Sequence, residues 1–519
     1  MLNLAFIFHM HQPYYKNLLT KVADVPWVRL HGSKDYLDMV LMLKNYPKIN
    51  LVFNLVPSLI EQTEDYLSGN VKDKFLELSL KPALELASAE KEFLLNNFFS
   101  INPDKVISIF PRYYQLYLKK QSGDDFSVQD FLDLQVWFNL AWIDPYFRRE
   151  MPELKKIEGK GRFFKEEEKR IVLEKQLEIL KGIIPAYKEY GLKGQIEVTM
   201  SPYYHPILPL LSNTNIAKEA NSKTVLPKVN FSYIQDALAQ IDESVKFYRQ
   251  RFGLKLNGMW PSEEAVSEHI LPLFIKSGIN WIVADEGVLF RSLKSKKRNT
   301  RLLYQPHVLK RKDGYLNIVF RDRNLSDLIG FVYQAWKAED AVKDFITHLE
   351  NINRSLMNED ILVVIAMDGE NAWEYYKNDG HDFLELLYQR LSESESIKTV
   401  TISDYLNDHP AKHQIPRLAA GSWIYTEFGK WIGNPYKVKA WEWLALARKE
   451  LEASINSGAN IDLGLVLKQM YILEGSDWFW WFGEDYPGYF DSLFRMHMTN
   501  FYTLLKKEIP EYLSKPLTP

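Results

Sequence analysis

The chain has 519 residues, 46% of them hydrophobic and 25% charged, with a formal net charge of -3. Charges of both signs are interleaved, leaving no basic stripe for nucleic acid or a membrane surface, and the absence of cysteine excludes disulfides, thiolate nucleophiles and thiolate metal sites. Aromatic residues reach 14%, with 14 Trp and 29 Tyr, which favours stacking on sugars, although most of these rings are expected in the core.

The opening run Leu2 to Phe8 is nearly all apolar, as in a strand buried on both faces of a parallel sheet. It has no basic leader or small-residue cleavage site, and His9 interrupts it too early to cross a bilayer, so a cytoplasmic chain without membrane spans is expected. Similar runs follow at 50–54, 194–199, 256–260, 280–285, 316–321 and 361–367. Helical periodicity fills the gaps at 35–45, 164–190, 233–252, 267–277 and 338–352. Strands alternating with helices imply parallel, right-handed crossovers, and seven in succession are better closed into a barrel than left open.

The interval 58–193 is too long for one crossover and is helical at 75–97 and 128–142, so a helical excursion over the barrel mouth is expected. After a small extra strand at 397–401 the strand signal stops, and 434–456, 462–472 and 486–507 read as amphipathic helices. The predicted fold is α/β: an incomplete (β/α)7 barrel over 1–402 with a helical insertion at about 58–193, then a C-terminal α-helical domain over 403–519. The basic loop 292–301 reads as solvated surface. The lack of cysteine and the Lys/Glu-rich helices lean toward a thermophilic source.

Active sites of such barrels are built just past the strand ends. Two strand ends here carry acids beside tryptophan: Gly258-Met-Trp-Pro-Ser-Glu-Glu264, and Met367-Asp-Gly-Glu-Asn-Ala-Trp-Glu374. An indole packs on a pyranose while a carboxyl group does chemistry on it. Each segment also has a plainer reading. Pro-Ser-Glu-Glu resembles a helix N-terminus capped by Ser262, and Asp368-Gly369 suits a type I turn. The residues alone leave Glu263 and Glu264 as alternatives. His9 and His11 are expected to part to opposite faces, which disfavours joint chelation, and His205 and His307 read as isolated. No metal or cofactor is therefore predicted, and a metal-dependent polysaccharide deacetylase is a weaker alternative.

Four segments in order, His9-Met-His-Gln-Pro13, Gly194 to Pro202 with His205-Pro206, Gly258 to Glu263 and Met367 to Glu374, resemble glycoside hydrolase family 57. That resemblance implies a retaining mechanism on α-glucans, with Glu263 as nucleophile and Asp368 as general acid/base, and it leaves Glu264 to a helix N-terminus. It also implies that His11, Glu197, His205 and Trp260 line the subsites. Gln12, Asp285, Arg321, Asp322, Glu370 and Trp373 join them as strand-end candidates, with Trp423, Trp431 and the cluster Asp477 to Trp481, Trp478 included, as an acceptor platform from the tail. Asp368 is expected to hold its proton through burial and neighbouring acids, and Glu263 to stay ionised beside a histidine or Arg321. The wording looks closest to the amylase and amylopullulanase branch, with glucanotransferase, branching enzyme and non-catalytic glycan binding as alternatives. The expected partner is an α-glucan polysaccharide or oligosaccharide; oligomeric state is left open.

Overall fold

A computed structural model covers the chain and describes every residue except Lys296, Asn358, Asp485, Tyr486 and Pro519. The seven expected strands are present: β1 (Leu2–Met10), β2 (Leu51–Leu55), β3 (Ile196–Thr199), β4 (Gly258–Met259), β5 (Trp281–Asp285), β6 (Gly314–Arg321) and β7 (Ile361–Asp368). They pair in parallel in the order β4-β5-β6-β7-β1-β2-β3. Closure between β3 and β4 rests on a bridge from Met200 to Met259, with the Trp260 N–H donating to the Met200 carbonyl at 3.0 Å. The β6–β7 seam is also thin, with Val364 opposite Arg321. The result is a nearly closed seven-stranded barrel.

Side chains alternate along each strand, so one set fills the interior and the other meets the surrounding helices. Ala5, Ile7, Val52, Val283, Val319 and Val364 occupy the interior, with Trp260 and Trp281 as the large fillers. Gly258 is required here, because a Cβ on it would lie 2.1 Å from the Trp281 ring. The short strand Ile397–Thr399 pairs with the start of β1, and the helix Ile402–Asp408 that follows plugs the lower end with Ile402 and Tyr405. One element escapes the periodicity argument: His307–Arg311 forms an antiparallel hairpin with β6, and its exposed Lys310 and half-buried Arg311 mask the strand pattern.

Between β2 and β3 the chain is mostly helical, and the longest helix, Glu166–Leu192, packs on Trp27–Lys34 and Val128–Ala141. Beyond β7 lie the helices Pro435–Asn456, Leu463–Leu473, Ser476–Trp481 and Pro487–Leu504. This tail is stitched to the barrel mouth. Val266 bridges Gly421 and Pro206 bridges Gly475, both antiparallel. Among the described residues no helix is long and apolar enough to cross a membrane.

Candidate active site

Past β4 the chain does not begin a helix. Glu263 and Glu264 both take left-handed backbone, with φ of 59° and 50°, which costs about 1–3 kcal/mol each for residues other than glycine. The tail holds the turn: Val266 and Gly421 exchange backbone hydrogen bonds of 2.8 and 3.0 Å, and the Trp423 N–H donates to the Glu263 carbonyl at 3.1 Å. The two acids therefore diverge. Glu263 lines the cleft, whereas Glu264 is wholly buried with neither carboxyl oxygen hydrogen-bonded. Burial pushes Glu264 well above the ordinary carboxylate range despite Arg321 nearby, so burial favours its neutral form, and it is not an exposed charge at a helix terminus.

Asp368 ends β7 directly beside His9 of β1, and the next N–H, of Gly369, donates to the His9 carbonyl at 2.7 Å. Asp368 and Glu263 face the same cleft, about 1050 Å³ in volume, together with His11, Gln12 and Glu370. Trp423, Asp477, Trp480 and Trp481 of the tail line it as well, as do Trp27, Asn102 and Trp142. A second cavity of about 710 Å³ shares Asp368, Asn371, Trp423 and Trp480 and continues over Arg321. Its rim carries Phe331, Tyr375 and Tyr425, exposed by 72%, 54% and 85%. The two cavities make one trench with both carboxyl groups near its middle and aromatic faces along it, the form that a chain of sugars fits.

His9 and His11 do not part. Residues two apart on a strand share a face, and their rings stack with centroids 5.9 Å apart. His205 is not isolated either: its ring lies 4.1 Å from that of His11 and 4.9 Å from that of His9. His9 donates from Nδ1 to Asn54 Oδ1 at 2.6 Å, and burial, then His11, lowers its pKa to about 3. His205 is also held neutral, by burial and the other two histidines. His11 Nε2 meets Asp477 Oδ1 at 2.8 Å, and His205 Nδ1 meets Ser476 Oγ at 2.9 Å, so the tail fixes both rings. His11, His205 and Asp477 each offer a donor atom within 4.8 Å of the others, a set with the chemistry to hold a cation.

The two carboxyl groups do not behave as expected from the sequence. Glu263 is pushed up to about 8, first by burial and then by Asp368, against a hydrogen bond of 2.8 Å from Trp423 Nε1 to its Oε2. The groups expected to keep it ionised are committed elsewhere. His205 sits 3.9 Å away but is neutral, and Arg321 is bound to Asp285 and Asp327 with its guanidinium over the Trp423 ring at 5.2 Å. Asp368 is raised by burial, as expected, but its other neighbours, Asn371, His11 and Arg321, oppose the rise. Glu370 is raised further, by burial and then by Asp368. In the free site Glu263 is therefore held toward its protonated form.

Several expected subsite residues lie away from the trench. Glu197 faces the barrel interior, but two residues below Thr199, and bonds Trp281 Nε1 at 3.0 Å and the Ser403 N–H at 2.9 Å near the lower plug. Trp260 is fully buried as the floor, stacked on His9 at 4.9 Å and edge-on to Trp423. Asp285 is buried under Arg321 and Arg323 and caps the following helix at Gly287. Asp322 caps Arg323–Asp327 and accepts from Tyr304 and Arg298, which also pulls Arg298 out of the loop expected to be plain surface. Trp373, Trp431 and Trp478 are core, with indole N–H groups of Trp373 and Trp478 donating to the carbonyls of Gly369 and Ile472. Of the expected tail cluster Asp477 to Trp481, it is Asp477, Trp480 and Trp481 that reach the trench. In the helix Ser476–Trp481 they share one face at i, i+3 and i+4, a spacing that separates them from the buried Trp478 and Phe479.

Trp423→Phe keeps the ring and removes the one N–H aimed at Glu263. We expect kcat/KM to fall about tenfold or more and the limb of the pH–rate bell that reports Glu263 to move to higher pH, because the carboxylate form loses its donor. A pH profile on a soluble maltooligosaccharide checks both; an unmoved bell would mean that the bond does not tune the pair.

The family model "Glycosyl hydrolase family 57" matches residues 5–417. A curated α-amylase of Dictyoglomus thermophilum is 26% identical over 98 residues, which are 19% of this chain and 11% of that protein's length. Among solved structures, a branching enzyme of Thermococcus kodakaraensis superposes with TM-score 0.63 at 17% identity, covering 99% of this chain and 93% of the other. A branching enzyme of Pyrococcus horikoshii gives 0.62 at 18%, covering 97% and 89%, and an α-amylase of Thermotoga maritima gives 0.59 at 15%, covering 97% and 93%. At these identities the superpositions speak for the fold.

Proposed function

Since the chain belongs to glycosyl hydrolase family 57, we propose that it cleaves α-glucans by double displacement, with Glu263 as nucleophile and Asp368 as acid/base. The observation that carries this reading is the placement of both carboxyl groups in one aromatic-walled trench, each delivered by a different strand end. Trp423 Nε1 donates to Glu263 and steadies it as a carboxylate, the form that attacks an anomeric carbon. Asp368 gives its proton to the glycosidic oxygen as that bond breaks. The aglycone leaves, a glycosyl ester remains on Glu263, and Asp368 takes a proton from the incoming hydroxyl as the ester is displaced. Because burial and Asp368 favour the protonated form of Glu263 in the free site, the productive arrangement requires Glu263 to lose its proton when sugar fills the trench.

Asp368→Ala tests the acid role. We expect turnover of unactivated maltooligosaccharides to drop by about 10³-fold or more, and of a glycosyl fluoride, whose leaving group needs no proton, far less. Equal losses on both substrates would remove Asp368 from that role. The anomer released first, read by proton NMR, is expected to be α; a β product would rule out retention.

Water and a sugar hydroxyl compete for the ester. Hydrolysis is the first reading, from the sequence segments that look amylase-like. Transfer is the second, favoured by the aromatic rim of Phe331, Tyr375 and Tyr425, which offers an acceptor glucan somewhere to lie. Product analysis on amylose and pullulan separates them. Short maltooligosaccharides mean hydrolysis of α-1,4 bonds, maltotriose from pullulan means α-1,6 cleavage, and longer or branched products mean transfer.

A further inference from the structure

Away from the trench, a second group of ionisable side chains is buried where the helix Leu37–Leu41, the start of Pro145–Glu150 and the start of His381–Glu393 meet. Asp38, Asp144 and His381 are each at least nine-tenths buried and each present a donor atom within 4.8 Å of the others. His381 Nε2 lies 2.9 and 3.0 Å from the two oxygens of Asp144, and Asp144 Oδ1 also accepts the Tyr146 N–H at 2.7 Å. Two buried atoms of the group have no hydrogen-bond partner, Asp38 Oδ1 and His381 Nδ1.

The surroundings are rich in negative charge. Lys34 Nζ binds Asp35 and Asp379, and His31 binds Asp35, so these cations are already engaged while Asp38 is left facing Asp144, Asp35 and Asp379. His381 is the partner of Asp144, whereas Asp38 has no ion pair among the described residues; burying a carboxylate beside others in that way is costly, and a bound cation is one of the few ways proteins offset it.

We propose that Asp38, Asp144 and His381 bind a divalent transition-metal ion of the zinc class. One imidazole nitrogen and two carboxylate oxygens suit such an ion better than calcium or magnesium, which prefer all-oxygen shells. Bonds of about 2.0–2.2 Å to a common centre place ligand atoms roughly 3.3–4.3 Å apart, a span that the 4.8 Å limit accommodates with small side-chain movements. The ion ties three segments that are distant in sequence. One of them, His381, closes the loop that starts at Asp368, so the site clamps that loop to the helical excursion without touching substrate.

The test uses the full chain, stripped with chelator and then dialysed against zinc chloride. About one tightly held equivalent by elemental analysis is expected, with Tm raised by about 3–5 °C. Asp38→Asn, which keeps the shape and removes the charge, is expected to abolish both effects. Anomalous scattering at the zinc edge locates the ion without any variant, so the result does not depend on how Asp38→Asn folds. Density between Asp38, Asp144 and His381 supports the site. No bound zinc, or zinc held only at His11, His205 and Asp477 and lost in Asp477→Asn but not in Asp38→Asn, overturns it.

Discussion

Glu263→Gln is expected to lower kcat/KM on maltooligosaccharides by about 10⁴-fold or more while leaving their binding measurable by calorimetry, since an amide can accept sugar hydrogen bonds but cannot form the ester. The same substitution is expected to stabilise the fold, and the pH dependence fixes the sign. In the folded protein Glu263 is raised from 4.5 to about 8, so the folded state holds its proton more tightly than the unfolded chain. That contribution is fully present below about pH 4.5 and lost as pH rises through 8. Wild type and variant should therefore melt alike near pH 4, and the variant should be more stable by about 4–5 kcal/mol near pH 9. Melting curves over that range check it. Retained turnover would move the nucleophile elsewhere, and a stability gain that does not grow with pH would mean that Glu263 is not a strained acid. Glu263→Ala with added azide gives an independent readout, because a small anion that fills the gap traps the sugar as a glycosyl azide.

The second large effect is structural. Asp285 is wholly buried, binds Arg323 through both oxygens, approaches Arg321 at 3.4 Å and accepts the Gly287 N–H at 2.8 Å. Asp285→Ala is expected to cost about 3 kcal/mol, because it takes its carboxylate from Arg323, leaves the buried Arg321 with Asp327 alone and removes a helix cap. It should also reach the chemistry. Arg321 would lose one of the two carboxylates that hold it over Trp423, and Trp423 orients Glu263. A double-mutant cycle of Asp285→Ala with Trp423→Phe is expected to be non-additive in kcat/KM. Additive losses would show that the two residues act separately.

The barrel was readable because its strands are buried on both faces and so appear as unbroken apolar runs, and the acids of interest stand where those runs stop. Asp368 was legible for that reason. Glu264 was not. Pro-Ser-Glu-Glu is good helix-start composition, and what prevents a helix is a pair of left-handed residues held by backbone bonds to Gly421 and Trp423. Such a constraint lies 160 positions away and leaves no local mark. Asp477 against His11 is more remote still, at 466 positions. The tryptophans were over-read for a simpler reason: Trp373, Trp431 and Trp478 have the same composition signal as Trp423 and Trp480, and burial alone separates them. The error over His9 and His11 was one of strand geometry, and the register of β1 corrects it.

The match to the family model stops at residue 417, yet Gly421, Trp423, Ser476 and Asp477 all lie beyond that point and all touch either the turn that bears Glu263 or the histidines beside it. Chimeras that join the barrel of one such protein to the tail of another would therefore be recombining halves of a single catalytic centre. Drift in the tail can retune which glucans are processed and how fast while the barrel's own segments stay unchanged, so annotation transferred on those segments alone reads only part of the specificity.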